Sequence, residues 1–128
     1  AEYEGIKVGS PPVFPVNSVK AMRGCFAAEQ VGLALPYIEA CFRRYWGELE
    51  DISDDRVLRL ILEEVALDDA GFFEAIGSAE YKDKLRQNTE ELMSRGGFGS
   101  PTFFINGADM YFGNDRLMLI ELKLQEQP

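Results

Sequence analysis

Two short stretches in the last third of this 128-residue chain carry residue types that could hold a small ligand. The first, Phe98-Gly99-Ser100-Pro101-Thr102, runs from helix-breaking glycines straight into an apolar strand. Proline is tolerated at a strand's first residue because it removes no interior ladder bond. A cis Ser100-Pro101 peptide would expose the Ser100 backbone to a ligand, whereas a trans bond makes a plain strand start. The second stretch, Phe112-Gly113-Asn114-Asp115-Arg116, places a glycine and polar residues at the head of a helix. Free backbone N–H groups there can take an anion while the Asp115 carboxylate takes an ammonium group, so one helix end can read both charges of an α-amino acid. Simple capping by Asn114, with Asp115 as a dipole-friendly first-turn acid, is the plainer alternative.

Composition narrows the chemistry further. The chain has no histidine, which excludes a Ser-His or Cys-His nucleophile pair, an imidazole base and a His-containing zinc site within it. A net charge of −9 argues against nucleic acid, since no segregated basic stripe offsets the repulsion from a phosphate backbone. Cys25 and Cys41 are spaced neither as a CxxC redox pair nor as a tetrahedral metal set, so no metal site is expected. They read as structural thiols among apolar neighbours, a disulfide between adjacent helices being the alternative. The chain shows no membrane-spanning run and no export signal, and reduced thiols then favour a cytoplasmic protein.

Most of the sequence supplies helices to position these groups. Residues 1–16 hold too many Gly and Pro breakers for a regular element and read as an extended arm. A helix capped by Asn17 or Ser18 follows, with Val19, Met22, Phe26, Ala27 and Ala28 on one side. Pro36 fits the first turn of a second helix bearing a stripe of Tyr37, Ile38, Cys41, Phe42, Tyr45 and Trp46 up to Gly47. Asp51 to Asp55 cap a third helix with Val57, Leu58, Leu60, Ile61 and Val65, and Asp68-Asp69 a short fourth with Phe72, Phe73 and Ile76. Ser78 starts a long polar helix whose Tyr81, Leu85, Leu92 and Met93 face inward until Gly96-Gly97 stops it. The character then changes to β-β-α: Thr102 to Ile105 and Ala108 to Phe112 pair through Asn106-Gly107, and a last helix carries Leu117, Ile120 and Leu124. Both strands are apolar at nearly every residue, as when both faces are covered, and a lone hairpin is marginal in water.

Taken in order, Phe98 to Thr102 and Phe112 to Leu117, preceded by Phe14-Pro15-Val16-Asn17-Ser18 with Ala21 and Arg23, Phe42-Arg43-Arg44-Tyr45-Trp46 and Asp51 to Asp54, resemble the 2-hydroxychromene-2-carboxylate isomerase family. That family is related to kappa-class glutathione transferases and to DsbA-like proteins, and the resemblance runs from about Pro12 to Leu124. It implies a mostly α chain drawn from an α/β thioredoxin-like fold. Residues 17–96 would be a helical insertion domain, and 97–128 the C-terminal half of the thioredoxin-like domain.

The same resemblance implies glutathione as cofactor. Its cysteinyl part would pair with the Ser100 main chain before a cis Pro101, and its γ-glutamyl end would sit at Phe112, Gly113, Asn114 and Asp115. The family's helical domain walls an aromatic substrate pocket, so Trp46, beside Tyr45 and Phe42, is the expected substrate contact, a small aromatic carboxylate being the expected substrate. Core packing is the alternative for that stripe, and a solvated face paired with acids is the alternative for Arg43 and Arg44 as a carboxylate site. Nothing in the chain matches the family's catalytic Ser or Cys, which precedes this region. With a first residue that is not Met, this suggests a partial chain, inactive alone and open to association, including a homodimer. A CxxC in that missing segment would point to a DsbA-like thiol-disulfide oxidoreductase instead.

Overall fold

A computed structural model describes residues 5–125. The chain divides into two compact units, Ala1–Leu85 and Arg86–Pro128, the division falling within one long helix.

The first unit is helical. Its elements are α1 (Val19–Gln30), α2 (Ala34–Phe42), a π-helical turn (Arg43–Gly47), α3 (Asp55–Glu64), α4 (Asp69–Gly77) and the start of α5 (Ala79–Ser94). Asp54 and Asp68 occupy extended cap positions and accept the Arg56 and Gly71 N–H groups, so α3 and α4 begin where their acids satisfy otherwise open donors. At α1 the Asn17 side chain takes the Val19 N–H, while the Ser18 hydroxyl turns to the Met22 sulfur.

The core centres on Tyr37, Leu58, Ile61 and Leu62, which are fully buried, with Phe72, Ile76 and Tyr45 around them. The buried face of α1 differs from the expected one. It presents Ala21, Gly24, Phe26 and Ala28, while Val19 and Met22 are exposed. Small residues win this face because Tyr37 and Phe72 press against α1 at Gly24, where a Cβ would collide with the Tyr37 hydroxyl and the Phe72 ring. On α3 it is Leu62 that joins Leu58 and Ile61 inside, and Leu60 is exposed. Residues 5–17 form no helix or strand but are tied down: the Gly9 N–H donates to the Trp46 carbonyl at 2.7 Å, and the Tyr45 hydroxyl to the Val13 carbonyl at 3.0 Å.

The second unit holds the rest of α5, an antiparallel pair β1 (Thr102–Ile105) and β2 (Asp109–Phe112), a 3₁₀ turn (Asn114–Arg116) and α6 (Leu117–Gln125). Pairing runs from Thr102 opposite Phe112 to Ile105 opposite Asp109. Ala108 therefore belongs to the loop, with Asn106 and Gly107 both at positive φ, and not to the strand as expected. The strands are only half-buried, since the sheet of described residues has two strands and covers neither face fully. On α5 the expected inward Met93 is exposed, and on α6 Ile120 is buried whereas Leu117 and Leu124 are exposed.

Candidate functional site

In the second unit the two polar stretches are joined by backbone. The Gly113 N–H donates to the Pro101 carbonyl at 3.0 Å, extending the ladder one step beyond the Thr102–Phe112 pair. Ser100, Pro101, Phe112, Gly113, Asn114 and Asp115 thus share one end of the hairpin. The Ser100–Pro101 peptide is cis, as is Phe14–Pro15. Two glycines fit this junction closely. A Cβ on Gly99 would strike the Phe112 ring, which packs tilted against Phe98 at 4.7 Å between centroids. Gly113 has φ 98°, a conformation L side chains rarely adopt, and a Cβ there would meet the Asp115 carboxylate at 2.5 Å.

Gly113 takes the cap position of the 3₁₀ turn, and no side chain caps it, which removes the plain reading of Asn114 as a cap. The Asp115 carboxylate lies 3.7 Å from Arg116, both groups largely in solvent. The turn therefore offers backbone donors at the head of a helix beside an accessible carboxylate. That arrangement suits the carboxylate and ammonium of a γ-glutamyl group, so these residues fit the cofactor that the sequence resemblance implies.

Trp46 sits in the first unit on the π-helical turn, where the chain's wide aromatic stripe leaves regular α geometry. It stacks edge-on to Tyr45 at 4.8 Å and faces Phe14 at 6.1 Å. With Phe14, Met22, Ile38, Phe42 and Tyr45 it lines an apolar cleft of about 530 Å³. Tyr45 is core, Phe42 is exposed at the cleft, and Trp46 does both jobs, half-buried at the wall. The thiols of Cys25 and Cys41 are free and also line this cleft. Burial pushes both upward from the ordinary thiol value, Cys41 to about 11, so at neutral pH both are mainly in the protonated thiol form.

Arg43 and Arg44 are committed to acids. Both converge on Glu64, Arg43 also meets Glu48, and Arg44 bonds Glu50 at 2.8 Å. Hydrogen bonding from Arg43 holds the Glu64 carboxyl below the usual range. The cleft's second wall was not legible from helical periodicity. Phe14, Pro15 and Val16 come from the arm, and only their place directly before the α1 cap hints that they fold back onto the aromatic stripe. Among the described residues no cluster of three His, Cys, Asp or Glu could hold a metal ion, and no helix is long and apolar enough to cross a membrane.

The profile of the DSBA-like thioredoxin domain matches residues 1–125, and the chain belongs to that family. Within it the chain is similar to 2-hydroxychromene-2-carboxylate isomerases: it is 30% identical over 115 residues to the one from Pseudomonas putida and 30% over 113 to the one from Sphingobium xenophagum. These matches cover 88% and 87% of this chain but 56% and 57% of the relatives, so the chain spans about half of their length. A solved 2-hydroxychromene-2-carboxylate isomerase superposes with a TM-score of 0.85 at 26% identity, over 98% of this chain and 60% of that one.

Proposed function

We propose that this chain is part of a glutathione-dependent isomerase of the 2-hydroxychromene-2-carboxylate isomerase type, acting on small aromatic carboxylates. The observation that carries this reading is the ladder bond from Gly113 to Pro101, which unites the Ser100-Pro101 strand start with the Asn114-Asp115 turn. Likeness to isomerases over nearly the whole chain supplies the reaction class.

Glutathione, when bound, would supply a thiolate able to add reversibly to a conjugated substrate, permit bond rotation and leave again. The chain's own residues would bind and orient. The Ser100 main chain would pair with the cysteinyl backbone, the N–H groups of Asn114 and Asp115 would hold the γ-glutamyl carboxylate, and the Asp115 carboxylate its ammonium. Trp46 would wall the substrate. No residue of this chain is assigned as the group that activates the thiol, a role expected of a Ser or Cys outside it.

Thermal unfolding of the 128-residue chain with added glutathione tests the cofactor site. Mass action predicts about 2.7 kcal/mol of added stability at 100 times the dissociation constant. Asp115→Ala should abolish most of that gain while leaving the unliganded midpoint nearly unchanged, since Asp115 is exposed. A midpoint indifferent to millimolar glutathione overturns the proposal.

A further inference from the structure

We propose that Cys25, Cys41 and Met22 form a site for a soft monovalent d10 cation, of the Cu(I) or Ag(I) kind, which ties α1 to α2 through two thiolates and a thioether. The proposal is independent of glutathione and of the isomerase reading.

The sulfur side chains of Met22, Cys25 and Cys41 line one cleft at the seam of α1 and α2. Met22 and Cys25 stand three residues apart on α1 and so share one side of that helix, and Cys41 reaches the same cleft from α2. A short hydrogen-bonded chain links the two thiols. The Ala21 carbonyl accepts the Cys25 thiol at 3.7 Å and the Tyr37 hydroxyl at 3.0 Å, and that hydroxyl bonds with Cys41 one turn further along α2. Neither cysteine is in a disulfide. The Met22 sulfur takes the Ser18 hydroxyl at 3.5 Å, a weak contact that a metal ion can displace.

The surroundings select the ion. Desolvation holds both thiols above their ordinary values, Glu29 adds to this at Cys25, and an ionised Cys25 adds to it at Cys41, while the bond from Tyr37 works the other way. The Tyr45 hydroxyl, which also lines the cleft, is engaged by the Val13 carbonyl. No charged residue is among the described residues of the lining, so the pair lacks a positive charge. A cation between the sulfurs would turn the repulsion of two thiolates into attraction to a shared centre. Zinc takes four ligands and hard cations take sets of oxygens, whereas among the described residues no three His, Cys, Asp or Glu come together. Two thiolates and a thioether suffice for a d10 ion of low coordination number, and their softness selects Cu(I) and its redox-inert analogue Ag(I). Binding exchanges the two S–H protons for one cation with no change of oxidation state. The complex then carries one negative charge, which water can reach through the half-buried Cys25 and the 46% exposed Met22.

The test titrates the reduced, full 128-residue chain with silver nitrate in chloride-free buffer at neutral pH, with no glutathione present. Native mass spectrometry reads the stoichiometry, and calorimetry in two buffers of different ionisation enthalpy reads affinity and proton release. The expected result is one tightly bound ion per chain with release of about two protons, because each thiol must ionise to bind. Cys25→Ser and Met22→Leu, both at positions that are not fully buried, should each weaken binding at least about tenfold. Met22→Leu should keep the two-proton release, and Cys25→Ser should halve it. Cys41→Ala should bind as weakly as Cys25→Ser, with far-UV circular dichroism reporting whether its helices persist. The proton count of the unsubstituted chain identifies the second thiolate whether or not that variant folds.

Two silver ions per chain, a single proton released per ion, or an affinity unchanged in Cys25→Ser or Met22→Leu overturns the proposal. So does a chain that takes up no silver. A glutathione effect on the thermal midpoint without silver binding would sink this inference alone, and silver binding without a glutathione effect would sink the isomerase reading alone.

Discussion

Single residues in the first unit show how apolar burial sets both chemistry and stability. Tyr37 is buried completely, and its one hydroxyl bond, 3.0 Å to the Ala21 carbonyl, keeps that carbonyl and the phenol paired inside the core. Burial raises the pKa of Tyr37, Cys41 and Cys25 together, desolvation being the largest cause in each case. Between the unfolded thiol value and the folded one the unfolded chain binds fewer protons, so stability falls as pH rises. For Cys41 that window opens near 9 and closes near 11, and the loss amounts to roughly 2–3 kcal/mol when complete. Tyr37 carries the decline to still higher pH. Urea unfolding measured at steps from pH 8 to pH 11 should show a falling free energy. Cys41→Ala should be less stable at pH 8 but lose less between the two ends. A flat profile for the unsubstituted chain would mean that the thiol is hydrated in solution.

Elements were legible where one local signal sufficed. Asp54 and Asp68 announce the starts of α3 and α4 because an acid before an apolar-periodic run has one efficient use, accepting an open N–H. Replacing Asp68 with Ala should cost about 1 kcal/mol, with a lowered thermal midpoint as the readout; no change would mean that packing alone holds α4. Asn106-Gly107 likewise marks the hairpin through its two positive φ angles. What periodicity could not show is which apolar side wins when a helix has two. On α1 the larger residues Val19 and Met22 lose to Ala21 and Gly24, because the partner rings of Tyr37 and Phe72 demand close approach. The π-helical turn at Arg43–Gly47 was equally hidden, since it redirects Trp46 without altering the spacing of the stripe. Of the candidate site, the residue types and their order were readable. The bond that brings Gly113 onto Pro101 needed a register, and a register is a tertiary fact. Gly113→Ala should test that junction: its positive φ and the Asp115 contact predict a loss of about 1 kcal/mol or more, and with it the glutathione effect.

For the molecule as a whole, apolar exposure and net charge pull in opposite directions. Along α6, Leu117, Met118, Leu119, Leu122 and Leu124 are all exposed, Met118 at 70% and Leu122 at 54%, and Ile120 alone is buried there. Phe98 adds a ring at 72% exposure in the same unit. Such contiguous apolar surface on a monomer favours association or dye binding. The charge of −9 resists bringing two copies together at low ionic strength, and that resistance weakens once salt shortens the screening length. The chain should therefore bind an environment-sensitive naphthalene sulfonate dye at all salt concentrations. By sedimentation velocity it should also be more associated at high salt than at low. The double substitution Met118→Glu with Leu122→Glu should suppress both signals, and because neither side chain is buried the far-UV circular dichroism should not change. Association that instead weakens with salt would locate the contact in ion pairs, such as the Arg43, Arg44 and Glu64 network, and would separate the apolar surface of α6 from the self-affinity of the chain.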